Sequence, residues 1–271
     1  MNGTRLRTRV LLVACGCVAA LSTPVASPPR PPLRVCSDPN NLPFSNREGQ
    51  GFEDAIAREL ARFIGTRLVT TWWAQRRGFI GHTLEGGGCD VVIGFPAGAD
   101  RVLTTIPYYR STYVFVTARA RHLSIHSYDD PLLRRLRIGI PLVGDDGASA
   151  PPGFALSRRG IVANVVGYSV YGDAIDNPAS TILSAVARGA IDVAAVWGPP
   201  AGYFAQQRDE LLDIVPVSPT SDGGMPQTFA IAMAVRTSDR ARLEVLNEFL
   251  RQKRRDIDAI LARYHVPRVP V

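Results

Sequence analysis

Lysine is nearly missing from this chain. Lys253 is the sole one, and arginine, spread along the whole length, carries the rest of the positive charge. A nucleic-acid reader gathers its basic residues into a stripe with aromatics between them. The nearest approach to one, residues 251–255, sits beside Asp256 and Asp258 and reads as a solvated helix face. Histidine is sparse as well. His82, His122, His126 and His265 stand in no zinc or catalytic spacing, and no Gly-x-Ser-x-Gly elbow is present. After the first apolar stretch no run is apolar enough to span a bilayer, and no repeat of fixed period is visible. Gly86-Gly87-Gly88 precedes a strand pattern and has no following lysine, which excludes a phosphate loop and leaves a turn. Asp145-Asp146-Gly147 resembles a calcium-loop fragment without the other ligand positions, and also reads as a turn. These absences argue against an enzyme, a resident cofactor or metal, and nucleic acid as partner.

What is present points to export. Arg5, Arg7 and Arg9 open the chain with no acid among them, residues 10–21 are apolar or small, and Thr23-Pro24-Val25-Ala26-Ser27 offers a cleavage region. That grammar predicts a secretory signal over residues 1–26 and a periplasmic protein. Leu12-Val13-Ala14-Cys15 resembles a lipoprotein box but would leave too short an apolar core, so lipid anchoring ranks behind cleavage. Removing the three leader arginines, with no acid lost, takes the formal charge from +7 to about +4. The 271 residues are 46% apolar, enough for one large or two medium packed domains. Cys15 and Cys17 fall in the leader, which leaves Cys36 and Cys89. A lone pair in an oxidising compartment reads as a disulfide, worth at most about 4 kcal/mol through chain entropy. Cys36 ends one strand pattern and Cys89 begins another, so simple parallel neighbours would hold them too far apart.

Periodicity organises the rest. Strands are predicted over 33–36, 68–72 and 90–94, with a helix over 53–64 closed by Gly65 and a short helix over 78–84. A strand over 113–116 leads into a second series: strands 136–140, 162–167, 192–196 and 214–217, and helices 152–159 and 181–188. A long strand over 228–235 returns, and Ser238 is expected to cap the closing helices. The fold class is α/β, with two lobes joined by two hinge strands. The boundaries are 33–118 with 228–271 for lobe one, and 119–227 for lobe two. Ligand-facing residues follow the carboxyl ends of strands in such sheets. Those segments are 37–46, 72–77, 95–100, 141–147 and 197–202, the last read as a loop.

Several motifs then become familiar. Leu33-Arg34-Val35-Cys36-Ser37-Asp38-Pro39 with Leu42-Pro43-Phe44-Ser45, and Pro107-Tyr108-Tyr109, resemble bacterial family 3 extracellular solute-binding proteins of the type II fold. Trp72-Trp73-Ala74-Gln75-Arg76-Arg77, Cys89-Asp90-Val91-Val92-Ile93-Gly94, Arg110-Ser111-Thr112-Tyr113 and Val196-Trp197-Gly198-Pro199-Pro200-Ala201-Gly202-Tyr203 narrow the resemblance. Together they are similar to the accessory J proteins of methanol-oxidation clusters, associated with pyrroloquinoline-quinone alcohol dehydrogenases. The resemblance runs from about residue 33 to 265. It implies a non-catalytic periplasmic protein that assists maturation or activation of a quinoprotein methanol or alcohol dehydrogenase.

The cleft residues expected to meet ligand or partner are Asp38, Asn41, Trp73, Arg76, Arg77 and Arg101, then Tyr109, Arg110, Ser111, Trp197, Gly198 and Tyr203. Amino-acid receptors clamp a carboxylate with an Arg on lobe one, which Arg101 matches by position, and an ammonium with an acid on lobe two. No acid stands in 197–202, and an unpaired buried ammonium costs several kcal/mol, roughly. Two alternatives stay open: a receptor delivering a small polar solute to an ABC permease, and an enzyme on this fold using an acid such as Glu53 or Asp38.

Overall fold

The computed structural model describes residues 1, 3, 30–142, 149–172, 176–207 and 211–270. The expected leader, apart from Met1 and Gly3, lies outside the described residues, as do Cys15, Cys17 and Asp145-Asp146-Gly147. Ten strands form one curled sheet: β1 (Leu33–Ser37), β2 (Leu68–Trp72), β3 (Val91–Pro96), β4 (Val102–Thr104), β5 (Tyr109–Ala118), β6 (Ile138–Leu142), β7 (Val165–Ser169), β8 (Val193–Trp197), β9 (Leu212–Pro216) and β10 (Thr228–Arg236). Their order is β2-β1-β3-β10-β5-β8-β6-β7, with β9 paired to β5 and β4 to β10. β1 lies parallel to β2 and β3, and β6 lies parallel to β7 and β8. Each parallel trio needs crossover connections, which is why its segments alternate with helical ones.

Helix α1 (Phe52–Ile64) forms because Ile56, Leu60 and Ala61 recur on one buried face. Gly65 ends it at φ 72, a left-handed conformation that glycine takes without strain, and its N–H bonds back to Ala61 O and Arg62 O. Helices α5 (Arg240–Gln252) and α6 (Arg254–Arg263) pack on α1. Phe249, Ile257 and Leu261 share a core there with Phe52, Leu60 and Met233. Helices α2 (Pro151–Arg158), α3 (Ser180–Ala187) and α4 (Gly198–Gln206) cover the β6-β8 half. Phe115, Tyr128, Ile138 and Val193 form one core there, and Val116, Ile182, Ala194 and Phe204 another.

Two strands pass between the halves. Tyr109 to Thr112 of β5 pair with β10, whereas Tyr113 onward pairs with β8 and β9. Small polar side chains hold the handover: Thr112 Oγ1 donates to Gln227 O at 3.0 Å, and Thr228 Oγ1 to Thr112 Oγ1 at 3.0 Å. A buried carboxylate ties the first half together. Asp90 Oδ1 accepts from Arg34 Nη2 at 2.7 Å and Arg236 Nη2 at 2.9 Å, so one group links β1, the entry to β3 and the end of β10. Cys36 and Cys89 form a disulfide with their Cα atoms 5.5 Å apart. The glycine turn ahead of β3 lets Cys89 approach, which removes the spacing expected of simple parallel neighbours.

Three local expectations change. The 197–202 segment is not a loop but the start of α4, because Pro199 and Pro200 occupy its first turn, where a missing N–H costs nothing. Asp239, not Ser238, is the N-cap of α5, its carboxylate accepting from Arg242 N at 3.2 Å. The 78–84 helix is a short π-helical turn at Gly81–Glu85. The short β4 carries too few residues to show a period.

Candidate binding cleft

The carboxyl ends of β3 and β8 meet the hinge ends of β5 and β10 around a cavity of about 380 Å³. Its wall is aromatic: Phe44, Phe95, Tyr109, Tyr113, Trp197 and Phe229. Trp197 is the keystone, its ring 5.3 Å from Tyr113 and 5.8 Å from Phe229, and it packs against the cores of both halves. The polar lining is Gln75 and Glu53.

Glu53 reaches the cavity from the first turn of α1. The preceding loop shapes that turn, since Pro43 O accepts from Phe52 N at 2.8 Å and Phe44 O from Glu53 N at 2.9 Å. Gly51 makes the approach possible; a Cβ there would lie 1.9 Å from Phe44 O. Across the cavity wall Gly94 leaves the room that the carboxyl fills, because a Cβ would stand 1.9 Å from Glu53 Oε1. Glu53 is 6% exposed, and its carboxyl receives no hydrogen bond from the described residues. Burial pushes its pKa up to about 8, with the Asp54 and Asp38 carboxylates adding to the rise. Burial also raises Asp54, to about 6, against the pull of the Gly51 and Asn46 amides and of Arg58. Burial lifts the Tyr108 and Tyr109 hydroxyls well above their ordinary range.

The 38–46 loop runs beside the cavity and bridges the two halves. Asp38 braces the 38–46 loop, accepting from Asn40 N at 2.8 Å and Gln75 N at 2.6 Å. Asn41 Nδ2 donates to Gln75 Oε1 at 3.2 Å. Asn40 then reaches the other half: its Nδ2 donates to Gly172 O at 2.8 Å, and its Oδ1 accepts from Asn177 N at 3.0 Å. Leu42 follows it into the core of Ile182, Leu183 and Val196.

Among the expected cleft residues, Tyr109 and Trp197 line the cavity, and Asp38 and Asn41 support its rim. Trp73 is exposed, stacked on His82 at 4.6 Å, beside exposed Arg76 and Arg77. Arg101 pairs with Glu85 at 2.5 Å and does not line the cavity. Arg110, Ser111, Gly198 and Tyr203 serve the C-terminal tail. Val269 N donates to Arg110 O at 3.1 Å, Ser111 Oγ to Pro267 O at 2.7 Å, and Tyr203 stacks on Tyr264 at 5.9 Å. A Cβ on Gly198 would stand 2.8 Å from Ser111 Oγ, so that glycine admits the neighbouring strand. Phe95 falls in the 95–100 segment expected to face ligand, whereas sequence reasoning passed over Tyr113 and Phe229 as cavity residues, although both sit on the crossing strands. No group of three metal-ligating side chains occurs among the described residues.

The lining, the hinge and the bridging loop together describe a two-lobed binding protein, and comparison with known proteins agrees. The family model described as "Bacterial extracellular solute-binding protein" matches residues 97–265. Protein MoxJ of Methylorubrum extorquens is 32% identical over 255 residues, covering 91% of this chain and 84% of that protein. The chain belongs to the MoxJ-type extracellular solute-binding proteins. Two solved structures of that type share the fold. The periplasmic binding protein XoxJ from Methylobacterium extorquens AM1 is 34% identical, with a TM-score of 0.72, covering 88% of this chain and all of that one. MxaJ from Methlophaga aminisulfidivorans is 27% identical, with a TM-score of 0.70 and the same coverage. The MoxJ-type chain thus has the type II binding-protein fold with two hinge strands. Among its described residues no helix is long and apolar enough to cross a membrane.

Proposed function

We propose that this chain is a non-catalytic periplasmic protein that serves a quinoprotein methanol or alcohol dehydrogenase, assisting its maturation or activation by protein binding. In this reading residues 1–26 direct export, residues 33–118 with 228–271 act as lobe one, and residues 119–227 act as lobe two. The observation that carries it is what lobe two offers the cleft. Where a receptor for amino acids needs an acid, β8 ends in Trp197 and runs straight into α4, and among the described residues that wall of the cavity holds no charged group. With Arg101 committed to Glu85 outside the cavity, neither half of an amino-acid clamp faces the cleft. Membership of the MoxJ type supplies the partner class.

The contact surface on this reading is the exposed Trp73 with Arg76 and Arg77, residue types that dominate interface energetics. Trp197 belongs to the cavity wall and not to that surface. Capture of a quinoprotein dehydrogenase from native periplasm is the expected result, and Trp73→Ala should weaken it by about 2 kcal/mol. A folded protein that retains no dehydrogenase, or an alanine variant that binds it unchanged, counts against the surface. A second reading, a receptor for a small solute, is favoured by the aromatic cavity between the halves.

A further inference from the structure

We infer that the cavity beneath Trp197 is a binding site for a small organic cation, a substituted ammonium held among aromatic faces with Glu53 as its counter-charge. This goes beyond the dehydrogenase reading and does not depend on it.

Four features of the cavity lead to this class of ligand. Six aromatic side chains line it, and the negative faces of such rings attract cations, most strongly when water is excluded. The one carboxyl among its described lining residues, on Glu53, is almost wholly buried, faces the space and receives no hydrogen bond from the described residues. Among the described residues no Arg, Lys or His lines it, so an anion would find no partner there. The charged groups that act on Glu53 are the carboxylates of Asp54 on α1 and Asp38 on the loop after β1, while Tyr108, just before β5, and Tyr109 at its start are kept neutral by burial. The local field therefore favours positive charge. An amino acid is excluded on the same grounds, since its carboxylate would enter beside Glu53 with no arginine to meet it. The volume of about 380 Å³ suits a small ligand of few heavy atoms.

Empty, the site keeps Glu53 protonated near neutrality, because burial holds its pKa at about 8. A bound cation reverses that balance: the carboxylate is stabilised by a charge at contact distance, and one proton leaves for solvent. Binding and proton release are thus one event.

The test is isothermal titration calorimetry on the full chain with choline and with 3,3-dimethylbutan-1-ol, which keeps the shape but replaces the charged nitrogen by carbon. Choline should bind at least about tenfold more tightly than the alcohol. At pH 7 its binding enthalpy should change with the ionisation enthalpy of the buffer, which reports the released proton. Glu53→Gln, checked for cooperative unfolding, should lose both the preference and the buffer dependence. Trp197→Leu should weaken choline while proton release persists. Equal affinity for the two compounds, binding of neither, or a folded Glu53→Gln that still prefers choline overturns the inference. None of these outcomes bears on dehydrogenase capture, so the two readings fail separately.

Discussion

A carboxyl walled in by aromatic rings, with no donor to meet it, holds its proton far above the ordinary range. Glu53 is that group, with burial first and the neighbouring Asp54 and Asp38 second in raising its pKa to about 8. The folded protein binds this proton more tightly than the unfolded chain does. Stability from Glu53 is therefore complete below its ordinary value near 4.5 and is lost as the pH rises through about 8. Glu53→Gln should be more stable than the parent above pH 8, by on the order of a few kcal/mol, and nearly equal to it at pH 5. Denaturant melts at both pH values measure this; a gap that does not widen with pH refutes it. Asp54, raised to about 6, contributes its own loss at lower pH, so the comparison is cleanest above that value. Asp90 has the opposite sign. Burial alone would raise it, but the Arg34 and Arg236 hydrogen bonds and the charge of Arg242 prevail and hold it at about 2. Its contribution is present above the usual carboxylate range and is lost as the pH falls through about 2.

At the scale of elements, α4 and the C-terminal tail act as a joint between the halves. The tail leaves α6 on the first half, bonds to β5 at Arg110 and Ser111, and lies against α4 of the second half. Gly202 sets how close it comes: a Cβ there would stand 2.1 Å from His265 O and 2.9 Å from Pro267 Cδ. Alanine is the better helix former by about 1 kcal/mol, yet it cannot fit without moving backbone. Overpacking of this kind costs about 1–3 kcal/mol, so the clash outweighs the propensity gain. Gly202→Ala should lower the free energy of unfolding, as urea titration would reveal; an unchanged or higher value would show the tail to be loosely held. The same pair of elements explains a misread segment. Trp197-Gly198-Pro199-Pro200 looks like a loop because prolines and glycines punctuate loops, but a proline in a first helical turn is no breaker.

At the scale of the whole molecule, side-chain contacts of the 38–46 loop add to the hinge strands in holding the two halves together. Among the described residues Asn40 makes hydrogen bonds between the halves to Gly172 O and from Asn177 N, while β5 and β10 pair at the crossing. Removing two such bonds weakens closure by about 1–3 kcal/mol, enough to shift an open–closed balance tenfold or more. Asn40→Ala should therefore scatter X-rays with a larger radius of gyration than the parent at equal concentration. An identical radius would assign closure to Leu42 and the tail instead.

The alternation of strand and helix periods, the two long strands, the pair Cys36 and Cys89 and the family motifs all stand in the chain order. Together they determined the type II fold, the hinge strands and the Cys36–Cys89 bond, because each depends on neighbours in sequence or on residue counts. The cleft depended on distance in space. Arg101 matches a clamp by position, but its left-handed backbone and the nearness of Glu85 turn it outward. Glu53 sits in an ordinary helix pattern. Only the packing of α1 against Gly94, and the convergence of rings from β3, β5, β8 and β10, makes it the one buried acid of the cavity. A residue's solvent is set by elements far away in the chain, and no local pattern carries that information.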